Sequence, residues 1–176
     1  MLIKNIMIIC VILIVMAGAV LFPKLTKKPK IMNTNTEFNE VMTRYLDPET
    51  RQETVNTYGM IEDWDTSRVT IMAYAFSDEK TGASEFNADI SKWDTGNVTS
   101  MERMFKGAKA FNAPIGNWDV KNVENMKGMF DDAYSFNQDL SGWDTSKVTN
   151  TRDILRRAVS FTRAPPNLPA PQRAPR

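Results

Sequence analysis

Carboxylates are the most regularly placed reactive groups in this sequence. Asp65, Asp94, Asp119 and Asp144 each follow a tryptophan, and Asp89 and Asp139 stand four residues before Trp93 and Trp143. Paired carboxylates can work as general acid and base, and clustered ones can hold calcium. A catalytic pair, however, would break the sequence pattern at one place, whereas these aspartates recur with it. Their spacing also matches no calcium loop. The predicted role is therefore to stabilise turns or helix starts.

The other reactive groups are scarce. The chain has no histidine, which removes the commonest general base and metal ligand. Its one cysteine, Cys10, lies in an apolar run and has no intramolecular partner. Phosphate-binding loops, nucleophile elbows and zinc spacings are absent from the sequence. These observations predict no catalytic residue, no metal, no cofactor and no small-molecule substrate. Asn97-Val98-Thr99 is a glycosylation sequon that matters only on a luminal domain.

Charge is segregated along the 176 residues. Residues 1–30 carry five Lys and no acid, residues 31–151 carry 20 acids against 11 bases, and residues 152–176 carry six Arg against Asp153. An acidic middle between basic ends argues against a nucleic-acid surface. It suits ends that touch lipid head groups or acidic proteins.

Residues 5–22, NIMIICVILIVMAGAVLF, contain no charged side chain. As a helix, residues 6–22 would extend about 26 Å, close to a bilayer core. The reading taken is a retained transmembrane anchor over 1–23. A cleaved signal peptide ending near Ala17-Gly18-Ala19 and a lipoprotein signal using Cys10 are the alternatives. Lys24, Lys27, Lys28 and Lys30 follow the span, in a basic linker over 24–33, while Lys4 alone precedes it. This asymmetry predicts an outside N-terminus and a cytoplasmic C-terminal domain, which in a virion would face the capsid from an internal membrane.

The elements that must position these groups are repeats. Trp64, Trp93, Trp118 and Trp143 are separated by 29, 25 and 25 residues. Val69, Val98, Val123 and Val148 lie five residues after each Trp. Met72, Met101, Met126 and Thr151 lie eight after, and Phe76, Phe105, Phe130 and Leu155 twelve after. Phe86-Asn87, Phe111-Asn112 and Phe136-Asn137 follow, decaying to Phe161-Thr162. The four extra residues of the first repeat fall around DEKTG. A fixed period of this size predicts a solenoid whose units stack to share a core. Apolar offsets of five, eight and twelve predict a short helix in each unit, opened in the second by a Thr99–Glu102 capping box. Ile90-x-x-Trp93, Ile115-x-x-Trp118 and Leu140-x-x-Trp143 predict short extended segments. The Trp, Val, Met and Phe positions are the expected core, and Asn87, Asn112 and Asn137 an expected hydrogen-bonded ladder.

The consensus FNxDIxxWDTxxVTxMxxMFxxAxxFN resembles the BspA-like repeat proteins, the bacterial surface protein 26-residue repeat family, over residues 58–162. The stretch YGMIEDW at 58–64 is similar to the way that family opens its first repeat. The resemblance implies a leucine-rich-repeat-like fold and protein–protein interaction or adhesion without catalysis. The expected fold class is therefore α/β, a short right-handed leucine-rich-repeat-like solenoid of about four 25-residue coils over 58–162. A helical cap over 34–57 and the transmembrane helix complete it. Phe38, Val41, Met42, Tyr45 and Leu46 supply the cap's apolar face, and Thr151, Leu155 and Leu168 mark a worn last repeat. The tail at 163–176 is rich in Pro and Arg. Its Arg163, Arg173 and Arg176 are expected to contact a partner.

Two functions compete on these grounds. One is a structural protein tethering a bilayer to a protein assembly, of the kind a minor capsid protein of a large DNA virus with an internal membrane would be. The other is a cell-surface adhesion or protein-binding module. Expected partners are lipid and other proteins of an assembly, with no nucleic acid.

Overall fold

The computed structural model describes residues 30–163 and Leu168. Two α-helices come first, α1 (Asn35–Leu46) and α2 (Arg51–Tyr58). The Thr34 hydroxyl starts α1 by accepting the Glu37 N–H at 3.0 Å, and the Glu37 carboxylate reaches back to the Asn33 N–H at 3.0 Å. Phe38, Val41, Met42 and Leu46 form its buried stripe. Asp47 and Pro48 end it, because proline disfavours a helical residue before it. Gly59, at φ 83°, ends α2 and offers its carbonyl to the Trp64 indole N–H at 3.1 Å.

After this cap the chain runs in four layers, 64–92, 93–117, 118–142 and 143–163, each beginning at its Trp. The layers contain neither of the expected elements. Among the described residues there is no named strand, and the only pairing is by isolated parallel bridges, Ile31 to Asp65 and then Ile71 to Ser100 to Asn125 to Asn150. Both α-helices lie in the cap. The expected α/β leucine-rich-repeat-like solenoid, with a strand and a helix in each coil, is therefore corrected to stacked layers built from turns.

Hydrogen bonding explains the difference. In the second layer the N–H groups of Met101, Arg103, Phe105 and Gly107 donate to the carbonyls of Asn125, Lys127, Met129 and Asp131, one layer on, at 2.7–2.9 Å. The N–H groups between them close turns: Met104 to Met101, Lys106 to Arg103 and Ala108 to Phe105. An α-helix would spend every N–H four residues back and leave none for the neighbour. Left-handed residues punctuate the ribbon in register. Tyr74, Arg103, Gly128 and Asp153 have φ of 60°, 50°, 60° and 58° ten residues after their Trp. Gly107, Asp132 and Arg157 have 67°, 59° and 58° at fourteen. A non-glycine residue there costs about 1–2 kcal/mol, which the stack must overcome.

The capping-box expectation fails for the same reason. The Thr99 N–H and hydroxyl both go to the Thr70 carbonyl of the previous layer, at 2.8 and 3.2 Å, and Glu102 pairs with Lys127 of the next. The segments expected to be extended are turns closed by Trp93 N–H to Ile90, Trp118 to Ile115 and Trp143 to Leu140.

Aromatic columns fill the core. Phe76, Phe105 and Phe130 stack with ring centroids 5.1 and 5.7 Å apart, and Phe86, Phe111, Phe136 and Phe161 with 6.0, 5.9 and 5.9 Å. The first three layers also each stack their own pair, as Phe105 does on Phe111 at 3.8 Å. The Trp93, Trp118 and Trp143 indoles donate to the carbonyls of Ile61, Ile90 and Ile115, 28–32 residues back, at 2.8–3.2 Å. The loop inserted in the first layer bends at Gly82 against the end of α1, where a Cβ would lie 2.3 Å from the Leu46 carbonyl oxygen. Lys80 of this loop donates to Asn39 of α1 at 3.1 Å.

The expected anchor over 1–23 and Lys24, Lys27 and Lys28 lie outside the described residues. Among the described residues no helix is long and apolar enough to cross a membrane. The expected single-pass membrane topology, with its cytoplasmic or capsid-facing domain, is therefore not supported by the described residues.

Trp118 joins two layers through ring contact and a buried N–H donor. Trp118→Ala is expected to lower the unfolding free energy by about 3–5 kcal/mol. Chemical denaturation checks this, and a loss under about 1 kcal/mol would place the indole outside the shared core.

Candidate interaction surface

The 25-residue register repeats each surface position once per layer, so side chains form rows. Most rows are consumed by the stack. The Asn87 and Asn112 carboxamide oxygens accept the N–H groups of Asn112 and Asn137 at 2.8 and 2.9 Å, and Asn137 accepts from Thr162 at 3.1 Å. This row lies at the outer surface, with Asn87 and Asn112 exposed. Thr66 and Thr95 reach the carbonyls of Asp94 and Asp119 at 2.9 and 3.0 Å. Asn97 and Asn122 reach those of Ser67 and Gly96 at 2.8 and 2.7 Å.

The aspartates after each Trp are turn formers. Asp65, Asp94, Asp119 and Asp144 accept the N–H two residues on at 3.0–3.2 Å. Asp89 and Asp139 do so at 2.9 Å. The hydroxyls of Ser67 and Ser146 hold the Asp65 and Asp144 carboxyls below the usual carboxylate range, and the Lys121 side chain does the same for Asp119. Bonds from the Ser91 and Ser141 N–H groups lower Asp89 and Asp139. Among the described residues no group of three or more His, Cys, Asp or Glu could hold a metal ion.

The positions singled out from the sequence fall as follows. Trp64, Trp93, Trp118 and Trp143 are at most 5% exposed. Val98, Val123, Met101, Met126, Phe105, Phe130, Phe111 and Phe136 are buried completely. Lys30 lies 4.0 Å from the centre of the Tyr58 ring and 3.5 Å from Glu37, packed on the cap. Arg163 donates to the Asn137 carbonyl at 2.9 Å, so its guanidinium is already engaged within the stack. Arg173 and Arg176 lie outside the described residues.

Two features escaped the sequence reading. Lys109, Tyr134 and Val159 stand sixteen residues after their Trp and form one outward row, which Ser84 continues in the first layer by a bond to the Ala110 N–H. Tyr134 is 39% and Val159 75% exposed, and the Lys109 ammonium lies 6.0 Å from the Tyr134 ring centre. Their 25-residue spacing was visible, but their types differ and no consensus marks them.

Charge also alternates by layer. The first carries five acids and three bases, the second two and three, the third five and two, and the fourth two and five. Ion pairs join these layers: Asp78 with Lys106 at 2.8 Å, Glu102 with Lys127 at 3.3 Å, Asp132 with Arg157 at 2.5 Å, and Asp131 with Arg156.

The class this arrangement defines is a repeat protein of stacked, turn-built layers with a two-helix cap. The chain belongs to the family described as Mycoplasma protein of unknown function, DUF285, whose model matches residues 46–167. No curated protein and no solved structure matches the chain.

The depressed aspartates set a pH dependence. Their folded pKa values lie below the unfolded value of about 3.9, so they contribute stability above it that is lost as pH falls through the folded values. With no histidine, no side chain of that type titrates between them and neutral pH. The melting temperature is expected to stay level from about pH 7 to 5 and to fall below about pH 4. Asp119→Asn, which keeps the turn acceptor, should make the acid slope shallower. A slope unchanged by that substitution would deny Asp119 a share in it.

Proposed function

We propose that this chain is a non-enzymatic protein-binding module that presents rows of side chains on a rigid stack. The observation that carries this reading is the outward row of Lys109, Tyr134 and Val159. Two of the four exposed large apolar side chains among the described residues fall in it, one layer apart. The stack uses neither of them for packing. Exposed tyrosine and aliphatic side chains beside a lysine are what a protein-binding patch offers. The resemblance of the repeat phrase to BspA-like surface proteins, a family of protein-interaction repeats, supports the same reading. The bilayer tether rests on residues outside those described, so the protein-binding alternative is the one retained.

A photo-crosslinking residue at position 134 or 159, introduced in the producing organism, tests this. Both sites are expected to give one discrete protein adduct, and an excess of the unlabelled chain should compete it away. The same residue at exposed Gln52 of α2 should not give it. Absence of any adduct at 134 and 159, or equal labelling at 52, would overturn the proposal.

A further inference from the structure

Among the described residues the interlayer backbone bonds stop at the fourth layer, although Leu168 still packs against the core. Gly128, Phe130 and Asp132 of the third layer donate their N–H groups to Arg152, Ile154 and Arg156, each at 2.8 Å. One register on, the donors are Asp153, Leu155 and Arg157. Among the described residues their N–H groups have no backbone acceptor and meet no side-chain acceptor. The fourth layer's carbonyls at 150, 152, 154 and 156 all face inward, where they accept from the third layer. The terminal edge therefore presents donors alone, which makes it electropositive before side chains are counted.

The side chains add to this. The fourth layer carries Lys147, Arg152, Arg156, Arg157 and Arg163 against Asp144 and Asp153. Arg152, Arg156 and Arg157 have 63%, 50% and 59% of their side chains exposed. Ile154, Leu155 and Phe161 are only partly buried beside them. Elsewhere each change from one layer to the next reverses the sign of the charge, and the basic second layer is covered by the acidic third. The most basic layer is thus the one whose donors are open. Residues 164–176 contain no Asp or Glu.

We propose that this edge takes an extended acidic segment of another protein. Carbonyls of that segment accept from Asp153, Leu155 and Arg157, and its carboxylates meet Arg152, Arg156 and Arg157. The mode is strand addition, with main-chain bonds giving affinity and charge giving selectivity. The proposal rests on the protein-binding reading but concerns a different surface from the Tyr134–Val159 row.

The probe is a synthetic peptide copying residues 122–133, NVENMKGMFDDA, the segment that covers the basic second layer. Backbone amide exchange is read by NMR on the full chain. Saturating peptide is expected to slow exchange at Asp153, Leu155 and Arg157 about tenfold or more, with binding weakened by salt. A peptide with Glu124, Asp131 and Asp132 changed to Lys should not do so. Arg152→Glu should weaken binding about tenfold, a change of about 1.4 kcal/mol. Among the described residues Arg152 forms an ion pair only with its neighbour Asp153, at 3.5 Å, so the variant leaves the ion pairs to the third layer in place. Three results would overturn the proposal: no slowing at saturation, equal slowing by the lysine peptide, or slowing that rises with protein concentration alone, which would assign the edge to a second copy. Slowing confined to residues around Tyr134 and Val159 would also sink it while leaving the flank reading standing. Slowing at the edge with no flank adduct would do the reverse.

Discussion

Every feature of this fold follows from where alternate backbone N–H groups go. In each of the first three layers the residues eight, ten, twelve and fourteen after the Trp donate to carbonyls of the next layer, and those between close turns within their own. A chain that divides its donors this way can be neither an α-helix nor a regular strand. It must reverse its twist every few residues, and the left-handed residues at Tyr74, Arg103, Gly128 and Asp153 do so. Each non-glycine residue in that conformation is unfavourable alone by about 1–2 kcal/mol. In the inner layers the conformation persists because the layers on both sides fix it.

The side chains reinforce the same register. Indole N–H groups reach back 28–32 residues, and the Asn87–Asn112–Asn137 row and the threonines at Thr66 and Thr95 each bind one layer to the next. Phenylalanine columns fill the interior with centroid distances of 5.1–6.0 Å between layers. The arginines of the interlayer ion pairs are half or more exposed, and such pairs contribute little stability individually. Their value lies in which layer meets which, because the net charge alternates in sign from one layer to the next. The buried Asp131, 2% exposed and paired with Arg156, is the pair most sensitive to that placement.

How much of this could be read from the sequence depends on what each signal measures. The period was legible because Trp, Val, Met and Phe recur at fixed offsets, and those side chains share one buried cluster. The conformation between them was not. Apolar offsets of five, eight and twelve fit a helix face, yet a ribbon of turns places the same residues inward, and periodicity alone does not separate the two. Thr99 and Glu102 looked like a capping box because capping and interlayer bonding use the same donors and acceptors. The Lys109–Tyr134–Val159 row was illegible for the opposite reason: the position repeats but the residue type does not, as befits side chains the stack does not use. The alternation of charge needed the layer boundaries before it could be counted.

The division of donors is open to direct measurement. Scalar couplings across hydrogen bonds, read by NMR in the folded chain, name the acceptor of each N–H. The account predicts couplings from the Arg103 and Phe105 nitrogens to the carbonyl carbons of Lys127 and Met129, more than twenty residues ahead. Couplings from those nitrogens to Thr99 and Met101 instead, four residues back, would mean that each layer carries a helix, and would contradict it.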